Sequence, residues 1–477
     1  MNNIVNMDPS RAAGAGYDLV VVGAGSAGFS AAITAADAGA RVALVGHGTL
    51  GGTCVNVGCV PSKTLIRAME GLYGANLGRF AGIEGKAVIK DWSAVIRQKD
   101  DLVEELRQAK YADLLPANES VNYLEGPARI VEGGVEVSGR FIRAARTIIA
   151  TGSQPLIPEI SGLGDVPYLT STTALELPDL PASLLVIGGG YIGVEIAQMF
   201  ARAGVRVTIV CRSRLLPEAE PEIGAALSGY FRDEGIIVQQ GGSYRNIAVS
   251  RDGVTLRVDR DGDLVELNAE RVLVATGRRP NTDGLGLKER GIRQMSNGGI
   301  AVDDQMQSSV AGIYAAGDVT GRDQFVYMAA YGAKLAAENA VNGAARRYDA
   351  TTMPSVVFTD PQVASVGLTE QAAMSKGLKV RTSLLPLEYL PRALAARDTR
   401  GLIKLVAEAG TNRILGAHIL APEGSDSIQT AMLAIRFGMT VADLADTIFP
   451  YLTTVEGLKL AAQTFDKDIT RLSCCAG

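Results

Sequence analysis

Two histidines, one tryptophan and five cysteines are all that this 477-residue chain holds of those types. It also has no apolar run near the ~20 residues that a membrane-spanning helix needs; runs such as "LVVVG" and "LLVIG" are far too short. Basic residues are not in excess either: 46 Lys and Arg stand against 51 Asp and Glu, a net charge of −5, which gives no reason to expect a nucleic-acid partner. The opening "MNNIVNMDPSRAAGAG" lacks the apolar stretch of a secretory signal. With few cysteines, odd in number, and no such signal, the expected compartment is the cytoplasm, where a disulfide is more often catalytic than structural. What is present, 47% hydrophobic and 20% charged residues, describes a soluble globular protein. Its length suits about two to four domains.

Two of the five cysteines lie side by side in the last stretch, "RLSCCAG", as Cys474 and Cys475. Chain ends are usually mobile, which argues against a packing role. Adjacent Cα atoms are about 3.8 Å apart, closer than disulfides prefer. Two soft thiols on an arm suit a soft metal ion, or nothing at all; the remainder of the chain has to decide.

The stretch "YDLVVVGAGSAGFSAAITAADAGARVALV" (17–45) reads as a buried strand, a glycine turn, an Ala-rich helix and a second strand. Gly23, Gly25 and Gly28 form G-x-G-x-x-G at the strand-to-helix turn. There the glycines permit a tight turn, close approach of a pyrophosphate, and close packing of helix on strand. The helix N-terminus meets the negative charge. The unit recurs in "SLLVIGGGYIGVEIAQMFARAGVRVTIV" (183–210) with Gly188, Gly190 and Gly193. Two such units imply two dinucleotides, or one dinucleotide and a relic. After the second strand of the second unit come Cys211, Arg212, Ser213 and Arg214, with no acid. Arginine accommodates a 2′-phosphate, so NADPH is expected over NADH. The first unit has Gly46 where an acid would hold a ribose hydroxyl, a departure that leaves that contact unassigned. Further on, "IIATGSQP" (148–155), "VLVATGRRPNT" (272–282) and "GIYAAGDVT" (312–320) each run from a strand into a glycine turn. Their order implies that the second Rossmann unit is inserted into the first domain.

Cys54 and Cys59 lie in "GGTCVNVGCVPSK" (51–63). On a regular helix a spacing of five gives about 7.5 Å of rise and an angular offset near 140°, too far for a disulfide. Gly58 and Pro61 flank the second cysteine, so pairing requires an irregular helix start. A helix N-terminus there is also expected to lower a thiolate pKa.

The motif "GGTCVNVGCVPSK", both glycine units, both ATG turns and "AAGD" together resemble the flavin-dependent pyridine-nucleotide disulfide oxidoreductases, from residue 17 to 477. The resemblance implies an α/β fold with two Rossmann-like dinucleotide-binding domains, one inserted in the other, and a C-terminal α+β dimerisation domain. It places an FAD domain at 17–165 and 285–349, an NADPH domain at 166–284, and a dimerisation domain with the Cys-Cys arm at 350–477. Residues 1–16 are expected to form a flexible extension. FAD contacts are expected from Gly23, Gly25, Ser26, Gly28, Gly52, Thr53, Lys63, Thr151, Gly152 and Asp318. NADPH contacts are expected from Gly188, Gly190, Tyr191, Gly193, Arg212, Arg214 and Gly277. By the same resemblance Cys59 is the thiolate against the flavin and Cys54 performs exchange. Lys63 sits near flavin N5, paired with Glu195, and Tyr191 is an aromatic lid.

Disulfide and dihydrolipoamide reductases of this family carry a histidine before a glutamate near the C-terminus. In "IFPYLTTVEGLKLAAQTFDKD" (448–468) Glu456 is kept, but Tyr451 stands at the histidine position. A phenol with a pKa near 10 is a poor proton shuttle at neutral pH. His47 and His418 lie elsewhere and read as surface or core residues. Tyr451, "TVEGLKLAAQTF" and "SCCAG" resemble instead the mercury-reducing branch of the family. That resemblance implies Hg(II)–thiol complexes as substrate and a homodimer. Cys474 and Cys475 of one subunit would then pass Hg(II) to Cys54 and Cys59 of the other. Tyr111, in "AKYADLL", would stand at the metal site with Tyr451 from the other chain. Thiolates select soft ions, which agrees with mercury. No cysteine precedes Cys54, so the N-terminal C-x-x-C module found in many members of that branch is not expected here. Delivery would then rest on the C-terminal pair, small thiols or a separate carrier. A disulfide or dihydrolipoamide reductase is the enzymatic alternative. A mercury-sequestering protein without turnover would need no dinucleotide sites.

Overall fold

A computed structural model describes residues 16–469. The chain forms two compact units. One draws on Met1–Thr64, Ile96–Leu156 and Gly277–Ala350 as far as these are described, the other on Leu65–Val95, Ile157–Thr276 and Thr351–Gly477.

The first unit is organised by strand β1 (Tyr17–Val22), helix α1 (Ser26–Asp37) and strand β2 (Val42–Gly46). β1 is buried along nearly its whole length, as a strand covered on both faces must be. It pairs in parallel with β2, Leu19 opposite Val42, and with Arg140–Ile149, Leu19 opposite Arg146. β2 pairs in parallel with β3 (Val121–Glu125), Gly46 opposite Glu125. Ile313–Ala315 joins the far side of Arg140–Ile149, also in parallel. Helices α1 and Val326–Asn342 cover one face, where Leu19, Val21, Phe29, Leu44 and Ala333 form the core. Val20, Val22, Val45, Ile149 and Ala315 face the other way, against Ile130, Val135 and Ile142. The alternation of neighbouring β1 residues between two cores follows from the two-residue period of a strand.

The second unit repeats the motif. Ser183–Ile187, the helix Tyr191–Arg202 and Arg206–Cys211 form its centre, in a five-stranded sheet with Ile237–Gln240, Arg271–Val274 and Tyr168–Leu169. An antiparallel three-stranded sheet, Ser243–Ser250, Gly253–Arg260 and Asp263–Ala269, packs by Ile247, Leu256 and Val258. A five-stranded antiparallel sheet from residues 354–421 packs on helix Gly424–Arg436 around Ile403, Leu405, Ile419 and Ile428. Among the described residues no helix is long and apolar enough to cross a membrane.

Candidate active site

Both glycine turns are built by the same collisions. A Cβ on Gly23 would lie 2.2 Å from the Ala150 carbonyl oxygen, and one on Gly188 would lie 2.2 Å from that of Ala275. A Cβ on Gly28 would lie 1.7 Å from Gly23 O, and one on Gly193 would lie 2.2 Å from Gly188 O. Each helix is therefore pressed directly onto its own turn. Gly23 and Gly188 also have φ of 120° and 121°, which excludes other residues on backbone grounds. Gly25 and Gly190 cap helices of 12 residues, and the space around Gly190 is open. These are helix N-termini with backbone N–H groups available to an anion.

The turn at Gly51 and Gly52 closes over the first glycine loop. Gly51 N donates to Ala24 O at 2.9 Å, and a Cβ on Gly52 would lie 2.7 Å from Gly25 Cα. From this contact starts helix α2 (Gly52–Val57), carrying Thr53 and Cys54. It stops at Gly58, whose φ of −127° and ψ of −108° are not helical, and α3 (Cys59–Asn76) begins at once. The irregular start that the spacing demands is thus a complete break between the cysteines. That shape suits glycine, because a Cβ at 58 would lie 2.9 Å from Thr53 O.

The break brings the sulfurs together. Both cysteines are half-buried thiols, not joined by a disulfide. The Cys54 thiol is pushed well above its usual range, first by its hydrogen bond to Cys59, then by burial and the Cys59 charge; Lys63 opposes this. The expected lowering by a helix end is overridden at Cys54, because a neighbouring sulfur that accepts its proton is a stronger local influence.

Tyr111 lies in a single π-turn, Gln108–Ala112. Its ring packs edge-on against Phe29, centroids 4.9 Å apart, and its hydroxyl lies 3.1 Å from Ser26 Oγ. Burial raises its pKa, and the charges of Cys54 and Cys59 add to the rise, so the phenol is near the pair. The resemblance, not the spacing, pointed to Tyr111, since a π-turn is not visible in the helical period.

Thr151 and Gly152 are tied to the second ATG turn. Thr151 Oγ1 donates to Asn281 O at 2.7 Å, Asn281 Nδ2 donates to Thr151 O at 3.0 Å, and Leu156 N donates to Gly277 O at 2.9 Å. Asp318 accepts from Ser153 Oγ at 2.6 Å, and Arg278 Nε donates to the same hydroxyl at 2.8 Å. Arg278 also pairs with Asp318 at 3.9 Å and feels the Cys59 charge. Sequence reading missed Ser153 and Arg278, although both lie within the quoted turn motifs.

In the second unit Glu195 is buried and accepts the Phe358 backbone N–H at 2.9 Å. Tyr191 is the first residue of its helix. Arg212 is exposed, whereas Arg214 is spent on the loop that follows, donating to the carbonyls of Leu216, Pro217 and Ala219. Tyr451 is half-exposed in a turn closed by Leu452 N donating to Glu456 at 3.1 Å. His47 is exposed; His418 is buried, with its pKa lowered by burial. Cys474 and Cys475 lie outside the described residues. Among the described residues no group of three or more His, Cys, Asp or Glu is arranged to hold a metal.

Two glycine-turn sheets and a dithiol at a helix break define a dinucleotide-dependent disulfide-type oxidoreductase. The profile of the pyridine nucleotide-disulphide oxidoreductases matches residues 17–337, and that of their dimerisation domain matches 353–462, so the chain belongs to this family. A mercuric reductase of Streptomyces lividans is 48% identical, over 97% of this chain and 99% of that protein. One of Lysinibacillus sphaericus is 47% identical, over 97% of this chain and 85% of that protein. Among solved structures, the Cu(II) complex of the HOCl-induced flavoprotein disulfide reductase RclA from Escherichia coli superposes with a TM-score of 0.84 at 29% identity, covering 94% of this chain and 100% of that one.

Proposed function

We propose that this chain reduces Hg(II) to Hg(0) with electrons from NADPH, using FAD and the Cys54–Cys59 pair. The observation that carries this reading is the contact of the two sulfurs near the Tyr111 phenol, in a chain whose relatives over nearly its full length are mercuric reductases. Both turns fit a dinucleotide. A Cβ on Gly52 would lie 2.7 Å from Gly25 Cα, which keeps the backbone of the first turn bare, and the helix end at Gly190 is open beside an arginine-bearing strand end. Bound FAD supplies the two-electron link between a reduced nicotinamide and an ion held on sulfur.

The chain's own residues do the rest. Hg(II) is a soft ion that takes few sulfur ligands. Cys54 keeps its proton at neutral pH, so capture of the ion between Cys54 and Cys59 expels that proton. Lys63 favours the thiolate form that results. Tyr111, held by Ser26 and Phe29, stays protonated and can donate a hydrogen bond to a sulfur. When two electrons arrive, both Hg–S bonding pairs remain on sulfur; Hg(0) leaves, two thiolates result, and Cys54 takes back a proton from solvent.

In the same reading, residues 17–165 with 285–349 bind FAD, 166–284 bind NADPH and 350–477 build a cytoplasmic homodimer. Thr151, Gly152 and Asp318 serve the FAD site; Gly277, Tyr191 and Arg212 serve NADPH. Cys474 and Cys475 of one subunit, with Tyr451, hand the ion to the inner pair of the other. The test is Hg(II)-dependent NADPH oxidation with loss of volatile mercury in excess thiol; absence of both would remove the proposal. Cys474→Ala with Cys475→Ala is expected to slow turnover of thiol-ligated Hg(II) about tenfold or more while NADPH still reduces a Cys54–Cys59 disulfide. Unchanged turnover would show that the tail is not the entry site. Arg212→Glu is expected to raise the KM for NADPH about tenfold relative to that for NADH, the worth of one charge-assisted phosphate contact; steady-state kinetics with both nucleotides checks it.

A disulfide reductase is the second reading, favoured by the fold match to a flavoprotein disulfide reductase. Turnover of glutathione disulfide or lipoamide faster than of Hg(II) would establish it over the first.

A further inference from the structure

The tip of β2 lacks the acid that holds an adenosine ribose in dinucleotide folds, and the structure shows that a side chain has no room there. A Cβ on Gly46 would lie 2.5 Å from the Tyr123 hydroxyl and 2.8 Å from Ala24 Cβ. The phenol of Tyr123, two strands from β1, fills the space from which an acid would reach out. Glycine at 46 is therefore a fitted partner to tyrosine at 123.

Tyr123 and Glu125 alternate along β3 and so share one face. It is the face of Gly46 and Leu44, since Leu44 and Tyr123 both pack on the α1 side while Val45 and Leu124 pack on the other. Glu125 is the register partner of Gly46. Its side chain leaves the sheet at the level of the missing acid, about 4.8 Å to the side, the spacing between neighbouring strands. Both residues stand at the carboxyl ends of parallel strands, where open α/β sheets bind their ligands. Among the described residues the Tyr123 hydroxyl and the Glu125 carboxylate have no hydrogen-bond or ion-pair partner, and Glu125 is exposed. The Glu125 charge is close enough to act on the Tyr123 phenol, adding to the rise that burial produces.

We infer that Glu125, with Tyr123 beside it, makes the adenosine-ribose hydroxyl contact that an acid at the tip of β2 makes elsewhere. This rests on FAD occupying the first glycine turn. The acid has moved one strand outward, and the vacated position is filled by an aromatic ring that braces it. Glu125 is a cofactor-positioning residue on this view, with no part in the chemistry at the thiols.

The test is binding of flavin to the deflavinated full-length protein, followed by quenching of flavin fluorescence. The ligands are FAD and an analogue with a 2′,3′-dideoxyadenosine. Wild type is expected to prefer FAD by about tenfold, a hydrogen bond to a charged group expressed as affinity. Glu125→Ala is expected to lose that preference, binding both ligands with the weaker constant. Tyr123→Phe, which keeps the ring that fills the space at Gly46, is expected to lose part of it. Glu125→Ala discriminating as wild type does would overturn the inference and leave the flavin reading intact. Wild type binding neither ligand would remove the flavin reading, and this inference with it.

Discussion

Cys59→Ser is expected to lower Hg(II)-dependent NADPH oxidation at least about 100-fold, the order of loss seen when a reacting group is removed from a unit that acts together. Cys54→Ser is expected to do the same, because two sulfur ligands are needed to strip Hg(II) from competing thiols. The first variant also changes how the remaining thiol, Cys54, titrates. In the wild type Cys54 is held protonated first by its hydrogen bond to Cys59, then by burial and the Cys59 charge. Replacing the Cys59 sulfur by a neutral hydroxyl removes the charge and weakens the hydrogen bond, and leaves burial opposed by the backbone N–H of residue 59 and by Lys63. The Cys54 pKa in Cys59→Ser therefore falls back toward the ordinary thiol range. The thiolate is the nucleophile, so its alkylation by iodoacetamide should rise at lower pH than in the reduced wild type. Mass spectrometry of alkylated peptides across a pH series checks this. A Cys54 that reacts with the same pH profile in both proteins would mean that the sulfurs do not share a proton.

That contact shows where sequence is informative and where it stops. The five-residue spacing, with Gly58 inside it, demanded an irregular helix start, and the helix breaks at Gly58. Here the deciding physics is local: a peptide unit that a side chain would obstruct. The glycine turns were legible for the same reason, since each forbidden Cβ meets a carbonyl fixed by the strand-turn-helix unit itself or by the ATG strand beside it. Residues set by long-range strand order were not legible. Tyr123 meets Gly46 only because β3 lies next to β2, a pairing of Leu44 with Tyr123 and Gly46 with Glu125 that no local spacing announces. Arg278 reaches Ser153 and Asp318 only because two ATG turns, separated by the whole of the second Rossmann sheet, are hydrogen-bonded as a short ladder. Arg214 carries a related lesson. Its position after the strand suggested a phosphate ligand, but three nearby carbonyls satisfy its guanidinium first.

Two glycine substitutions with opposite outcomes separate packing from ligand binding. Gly28→Ala is expected to destabilise the fold by about 3 kcal/mol or more, at the upper end of overpacking costs, and to yield protein without flavin. Its Cβ would stand 1.7 Å from Gly23 O, so α1 must lift off the turn that it closes. That movement pulls Ala31, Ala32 and Ala35, all fully buried, away from the core, so the damage spreads beyond the turn. Gly190→Ala is expected to cost under about 1 kcal/mol, the difference between residues at a helix N-cap. Gly190 has an ordinary φ of −81°, and its Cβ would meet nothing. The added methyl stands at the helix end where a pyrophosphate approaches, so the KM for NADPH should rise several-fold while flavin content and stability hold. Urea denaturation, flavin absorbance of purified protein and NADPH kinetics read the three quantities. If Gly190→Ala left NADPH kinetics unchanged, the open helix end would not be the nucleotide site. If Gly28→Ala kept its flavin and its stability, α1 would not be pressed on its turn as described.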